Sequence, residues 1–169
     1  MKRVYRLIVA VAAPLVAFPV FAGDSTTLGT HGSWTSYVYK EGANKVCYMT
    51  SSPTRSEGKY AKRDPVFINV THRPASKSFG VVSVIAGYVY KDGDAATLEV
   101  GDKAFSLNAR GELAWAKGED DKAIVAAMKA GSDVAVKGQS ERGTKTVDHF
   151  SLAGFAAALS AIGKACGAR

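Results

Sequence analysis

Two cysteines, Cys47 and Cys166, lie 119 positions apart behind an N-terminal export signal, and they limit the folds open to this chain. An exported chain meets oxidising conditions, and an even cysteine count leaves no thiol over. We therefore predict one long-range disulfide that ties the C-terminal segment to an early strand. A redox pair or a metal site is the alternative, but the chain has no Cys-X-X-Cys and lacks the further ligands that zinc requires.

The first 22 residues have the parts of a secretory signal peptide. Three basic residues precede the apolar run 7–16, and small side chains lead to a cleavage site at Ala22. An uncleaved anchor is the alternative, but a spanning helix needs about 20 apolar residues, and two prolines interrupt this stretch. We predict a cleaved signal peptide over 1–22, a single domain over 23–169 and no transmembrane helix in the mature protein.

After the signal, apolar residues recur with a period of two between short turn segments, which is typical of antiparallel β-structure. This pattern predicts a sandwich of about seven to ten strands whose order cannot be read from the sequence. Residues 52–64 are polar and are predicted to form a loop. The predicted strands are 34–39, 45–50, 66–71, 81–90, 96–100, 104–107, 112–116, 134–137 and 144–150.

Two segments change to a helical period. Asp120–Ala130 has acids in its first turn, and Gly131 is predicted to end it in a left-handed conformation. A second helix is predicted from a cap at Ser151, with an apolar stripe that includes Cys166. We therefore predict a mainly β, antiparallel β-sandwich-like domain with one short helix and a C-terminal helix stapled by the disulfide. The stripe consists of Leu152, Phe155, Leu159, Ile162 and Cys166.

The formal net charge is +7, and its basic residues are spread along the chain. Only a loose group stands out, formed by Lys59, Lys62, Arg63 and Arg73. Nucleic-acid binding would require denser clustering interleaved with aromatic residues. We interpret this group as a solvated basic loop that contacts anionic envelope surfaces, and we expect no nucleic-acid partner.

No residue pattern supports catalysis or a cofactor. Ser140, His72 and Asp148 can be written as a trial triad, but the serine lacks a Gly-X-Ser-X-Gly elbow. The three histidines, completed by His31 and His149, are scattered and form no metal-binding motif. No glycine-rich phosphate loop is present either. We expect a non-catalytic protein without a metal or cofactor.

Several short runs, spread over the whole mature chain, resemble one known family. They are Lys45–Tyr48, Val70–Pro74, Gly87-Tyr88, Ala114-Trp115, Gly138–Ser140, Arg142–Thr144, Ser151–Phe155 and Ala165-Cys166. In these runs the chain resembles the invasion-associated locus B family. The resemblance implies an exported envelope protein, periplasmic or peripherally associated with the outer membrane, with no established catalytic residues. Some members of the family are linked to entry into host cells.

The polar turn that contains Ser140 and Arg142 is the most distinctive segment that the β-pattern leaves unexplained. Together with His72 and Arg73 it forms our predicted interaction patch. Each arginine can make a bidentate contact with a carboxylate or a phosphate. The alternative is structural, with Arg142 anchoring its loop by pairing with an internal acid such as Asp148.

Three functions therefore stay open. The first is a non-catalytic envelope protein that binds an unknown protein or envelope component. The second is a small-ligand binder or an enzyme inhibitor with a pocket or protruding loop around residues 52–64. The third is a hydrolase that uses His72 or His149.

Overall fold

A computed structural model describes residues 25–93 and 95–168, so the predicted signal peptide 1–22 lies outside the described residues. The described chain contains eleven strands, a short 3-10 turn over Pro74–Ser76 and two helices. The strands are β1 (Thr26–His31), β2 (Trp34–Glu41), β3 (Asn44–Ser51), β4 (Arg55–Gly58), β5 (Phe67–Arg73), β6 (Ser78–Ile85), β7 (Ala96–Val100), β8 (Lys103–Arg110), β9 (Leu113–Ala116), β10 (Asp133–Gln139) and β11 (Lys145–Ser151). The helices are α1 (Asp120–Ala130) and α2 (Phe155–Cys166).

All the strands belong to one antiparallel sheet with the order β1-β2-β3-β5-β6-β9-β8-β7-β10-β11-β4. This confirms the predicted mainly β, antiparallel class, with more strands than the seven to ten expected. The two additional strands are β1 and β4, which form the edges of the sheet. Their side chains are mostly exposed, so neither shows the alternation by which the other strands could be recognised.

The sheet cannot be flat, because β3 and β4 are consecutive in the chain but eight strand positions apart in the sheet. The four Cα steps from Ser51 to Arg55 reach at most about 15 Å. In a flat sheet the two strands would be separated by about 38 Å. The sheet therefore rolls up and encloses its apolar face, and hydrogen bonds join its two ends. For example, the Trp34 side chain donates to the Ser151 carbonyl at 3.0 Å.

The rolled sheet and the helices share one hydrophobic core. It includes Trp34 of β2, Phe150 of β11, Ile124 of α1 and Ile162 of α2. Among the described residues, neither helix is long and apolar enough to cross a membrane.

The predicted strand 81–90 is interrupted. β6 ends at Ile85, and the backbone turns at Gly87, where φ is +67°. A Cβ atom on Gly87 would lie 2.1 Å from the carbonyl oxygen of Asp64, whose own N–H donates to the Gly87 carbonyl at 3.1 Å. Because glycine has no side chain, the segment before β5 can lie directly against this turn. The alternation of residues within one strand does not show that a distant segment packs there.

Helix α1 occupies the predicted residues, but its C-terminal glycine acts differently. Gly131 has φ −88° and is extended, so the predicted left-handed stop is wrong. A Cβ atom there would lie 2.6 Å from Val100. Close packing against β7 thus requires the glycine. Helix α2 begins at Phe155 rather than near Ser151, which lies in β11.

The predicted disulfide is present and joins α2 to β3, with a Cα–Cα distance of 6.0 Å between Cys47 and Cys166. Aromatic packing also holds α2 against β2, since the rings of Trp34 and Phe155 meet edge to face with their centres 5.0 Å apart. The Ser36 hydroxyl also donates to the Ala158 carbonyl at 3.2 Å. The C-terminal helix is therefore held on the β2–β3 end of the sheet by covalent, aromatic and polar contacts.

Removing the disulfide should destabilise the fold without changing it. In the chain-entropy model a bridge over so long a loop restricts the unfolded state strongly, and measured values are typically about 2–4 kcal/mol. We expect Cys47→Ala/Cys166→Ala to lose that amount in urea denaturation. The wild type with its disulfide reduced is the control and should lose a similar amount. Equal stability of oxidised wild type and double variant would contradict this role.

Candidate functional site

The main candidate site is a cleft of about 580 Å³ at the seam of the rolled sheet. Three segments form most of its wall: 59–64 after β4, 87–89 after β6, and the β10–β11 turn. The last two are joined directly, since the Glu141 N–H donates to the Val89 carbonyl at 2.9 Å. The cleft therefore lies where parts of the chain that are distant in sequence meet.

A buried ion pair holds the first wall in place. Arg63 Nη1 and Nη2 donate to Asp148 Oδ1 and Oδ2 at 2.8 and 2.7 Å, and the two side chains are only 5% and 3% exposed. Arg63 Nε also donates to the Ala86 carbonyl at 2.7 Å, and the Ser56 hydroxyl donates to Asp148 at 2.7 Å. Nearly every polar atom of the pair is thus satisfied, as a buried charge requires.

Aromatic rings complete the surroundings of Arg63. Its guanidinium carbon lies 5.4 Å from the Tyr60 ring centre and 4.8 Å from that of Tyr88. Burial alone would lower the pKa of Arg63, but hydrogen bonds to Asp148 and its charge outweigh burial and raise that pKa. Burial raises the pKa of Tyr88, whose hydroxyl hydrogen-bonds Thr146 at 2.7 Å. Both side chains therefore keep one charge state around neutral pH.

The rim of the cleft is balanced in charge. Because the Arg63–Asp148 pair is neutral as a unit, the rim's character comes from exposed side chains of both signs. The cations are Lys59, Lys62 and Arg142, and the anions are Asp64, Glu112 and Glu141. This arrangement favours a ligand with charges or polar groups of both kinds over a polyanion.

The four residues of the predicted interaction patch do not lie together. Ser140 and Arg142 line the cleft, whereas His72 lines a groove between the two helices. Arg73 lines a third concavity on the outer face of the sheet and pairs with Glu41 at 3.5 Å. Only the two residues of the β10–β11 turn therefore share a site.

The residues of the trial triad hold other partners. His72 Nδ1 accepts from the Gly80 N–H at 2.9 Å, and the Ser140 hydroxyl accepts from the Thr144 N–H at 3.2 Å. Asp148 binds Arg63, so the alternative in which Arg142 pairs with Asp148 is wrong. Among residues 25–93 and 95–168, no group of three His, Cys, Asp or Glu side chains is placed to hold a metal ion.

Arg63 has a role that the sequence does not predict, since its side chain is buried in the ion pair with Asp148 and the predicted solvated basic loop is wrong at this residue. It lies in the segment 52–64, which was predicted only as a polar loop and a loose basic group. A signal was nevertheless present, since Asp148 lies between Thr146 and Phe150 at every second position of β11 and shares their inward-facing side. An acid at an inward strand position requires a buried partner, although the sequence does not say which one.

Comparison with known proteins gives one match. The family model described as "Invasion associated locus B (IalB) protein" matches residues 34–163, which is more than half of the chain. No curated protein and no solved structure matches the chain.

The buried ion pair should be strongly coupled. Asp148→Asn or Arg63→Met leaves one buried group without its partner, and each is expected to cost about 3–5 kcal/mol in urea denaturation. The double variant should be more stable than the two losses together predict, by about 1–3 kcal/mol. The exposed pair Arg55–Glu57 is the matched control and should show almost no coupling. Additive losses at Arg63 and Asp148 would contradict the assignment.

His72 should make stability depend on pH. Burial lowers its pKa, against a smaller effect of a backbone hydrogen bond with Thr71. The unfolded chain binds the proton near the ordinary value of 6.5, so the folded state loses stability as the pH falls below it. His72→Asn keeps an acceptor for the Gly80 N–H but does not titrate. Between about pH 7.5 and 5.5, wild type should lose more stability than His72→Asn; parallel curves would contradict this.

Proposed function

The chain belongs to the invasion associated locus B (IalB) family, and on this premise we propose that it is an exported, non-catalytic envelope protein that binds a protein or an envelope component. The cleft between segments 59–64, 87–89 and the β10–β11 turn is the proposed binding site. The observation that carries this proposal is the cleft wall held in place by the buried Arg63–Asp148 pair.

A wall fixed before the ligand arrives favours binding. Segment 59–64 follows an exposed edge strand and would by itself be free to move. The Arg63–Asp148 pair and the backbone contact between Asp64 and Gly87 attach it to the sheet at two successive residues. Binding then requires little further ordering of the chain, which leaves more of the contact energy for affinity.

The chemistry of the cleft fits a peptide segment. Tyr60 is 38% exposed and offers a flat apolar surface with a polar end. The rim has cations and anions in equal number, which can pair with both kinds of side chain and with backbone groups. A small polar ligand is the second candidate, because a volume of about 580 Å³ lies within the usual range of small-molecule sites.

A binding role is favoured over hydrolysis by the partners of the polar side chains. Ser140, His72 and Asp148 each take part in hydrogen bonds that support local structure. The predicted signal peptide supports a periplasmic location. Peripheral association with the outer membrane is part of the same proposal. Some members of the family are linked to host-cell invasion, so a surface contact with host components belongs to the same proposal.

Export and cleavage can be tested on the protein recovered from a periplasmic extract. We expect an intact mass and an N-terminal sequence that begin at Gly23, since the predicted cleavage site ends at Ala22. Retention of the protein in the cytoplasm with the first 22 residues intact would contradict the proposed location.

The binding site can be tested by photo-crosslinking in intact cells. A photoreactive amino acid at Val89, which lies in the cleft wall and is 40% exposed, should give reproducible adducts with one partner. Leu28 of β1 is a matched control, since it is 37% exposed and lies outside the cleft. We expect Arg142→Glu to reduce the Val89 adduct. Equal adducts from Val89 and Leu28 would contradict the cleft as the binding site.

A further inference from the structure

A second concave surface lies between the two helices and shares no lining residue with the cleft. Residues of α1 and α2 line the two sides of a groove with a volume of about 620 Å³. Its floor includes His72 and Phe79, whose rings meet edge to face at 5.5 Å. The groove is therefore built from elements of three different parts of the chain.

The middle of the groove is apolar. Phe79 is 40% exposed, and Val125 of α1 and Leu159 of α2 are half-buried on its walls. Leu159 belongs to the apolar stripe predicted for the last helix; it packs against the edge of the core and also lines this groove. Neighbouring apolar side chains that keep part of their surface in contact with solvent can serve as a surface that binds a partner.

The edges of the groove carry positive charge. Lys122 and Lys129 of α1 and Lys164 of α2 are exposed, and within the described part of the chain none of them forms a salt bridge. Asp121 is the one acid in the lining, and its Oδ1 accepts from the Val82 N–H at 2.7 Å. The groove thus presents an apolar centre with cations on both walls.

The spacing of these cations decides between possible occupants. Lys122 and Lys129 are seven residues apart on one helix, which places them about 10 Å apart along its axis. Lys164 lies on the opposite wall. A ligand with a single anionic headgroup cannot reach all three lysines. Acidic residues two turns apart on a bound helix are also about 10 Å apart, which matches the spacing of Lys122 and Lys129.

We propose that the groove between α1 and α2 binds an acidic amphipathic helix of a partner protein. Its apolar face packs on Phe79, Val125 and Leu159, and the acids that border this face pair with Lys122, Lys129 and Lys164. Helix-in-groove binding of this type uses apolar anchors one turn apart, with charges that set the choice and orientation of the partner. The proposal does not depend on the cleft being a binding site.

The test uses two labelled helical peptides of about 16 residues that share one leucine face. One peptide has glutamate beside that face, and the other has lysine. By fluorescence anisotropy with the oxidised mature protein, we expect the acidic peptide to bind at least about tenfold more tightly than the basic one, with a difference that shrinks as salt is added.

Charge-reversal variants make the test specific to the groove. Lys122→Glu/Lys129→Glu should weaken binding of the acidic peptide by at least about tenfold and improve binding of the basic one. Lys40→Glu/Lys103→Glu is the control, since it makes the same change in net charge at exposed positions outside the groove and should leave both affinities unchanged. All four lysines are exposed, so their replacement should not affect folding.

Three results would overturn the proposal. The first is equal affinity for both peptides, or equal effects of the two double variants. The second is saturable binding of laurate without binding of the acidic peptide, which would make the occupant a single-headed amphiphile. The third is self-association of the wild type, measured by sedimentation velocity, that Lys122→Glu/Lys129→Glu abolishes, which would make the occupant a second copy of this chain. Changes in Val89 crosslinking would bear only on the cleft.

Discussion

The short connection between β3 and β4 is the constraint on which the rest of the structure depends. Because it cannot span a flat sheet, β4 reaches the far edge only when the sheet rolls up. Rolling encloses the apolar face and brings β2 beside the end of β11. It also delivers the segment after β4 to the seam. Core, seam and cleft are therefore consequences of one short link.

The seam explains why a charged pair can be buried in so small a domain. Arg63 arrives from the segment after β4, Asp148 from β11, and the Ala86 carbonyl from the end of β6. An unpaired charge at this depth would be very unfavourable, so the three elements stabilise one another through this pair. The pair thus connects the folding of the seam with the shape of the cleft.

The two concave surfaces differ in the chemistry that they can recognise. The cleft has tyrosines and a balanced set of charges, whereas the groove between the helices has an apolar centre and cations on both walls. Helix α2 is stapled to β3 through Cys166, so the disulfide stabilises one wall of the groove as well as the fold. The two proposed binding surfaces share no lining residue.

The sequence by itself determined the β class, both helices and the pairing of Cys47 with Cys166. The β class and the helices follow from local periodicity, which shows which side of an element is buried. The disulfide follows from the number of cysteines, since two cysteines allow only one bridge. Tertiary structure alone decided the two edge strands, the partner of Asp148 and the separation of His72 from Ser140. The physical reason is that these three features depend on how the sheet rolls up. The alternation of residues along a strand does not show which distant segment lies across the seam.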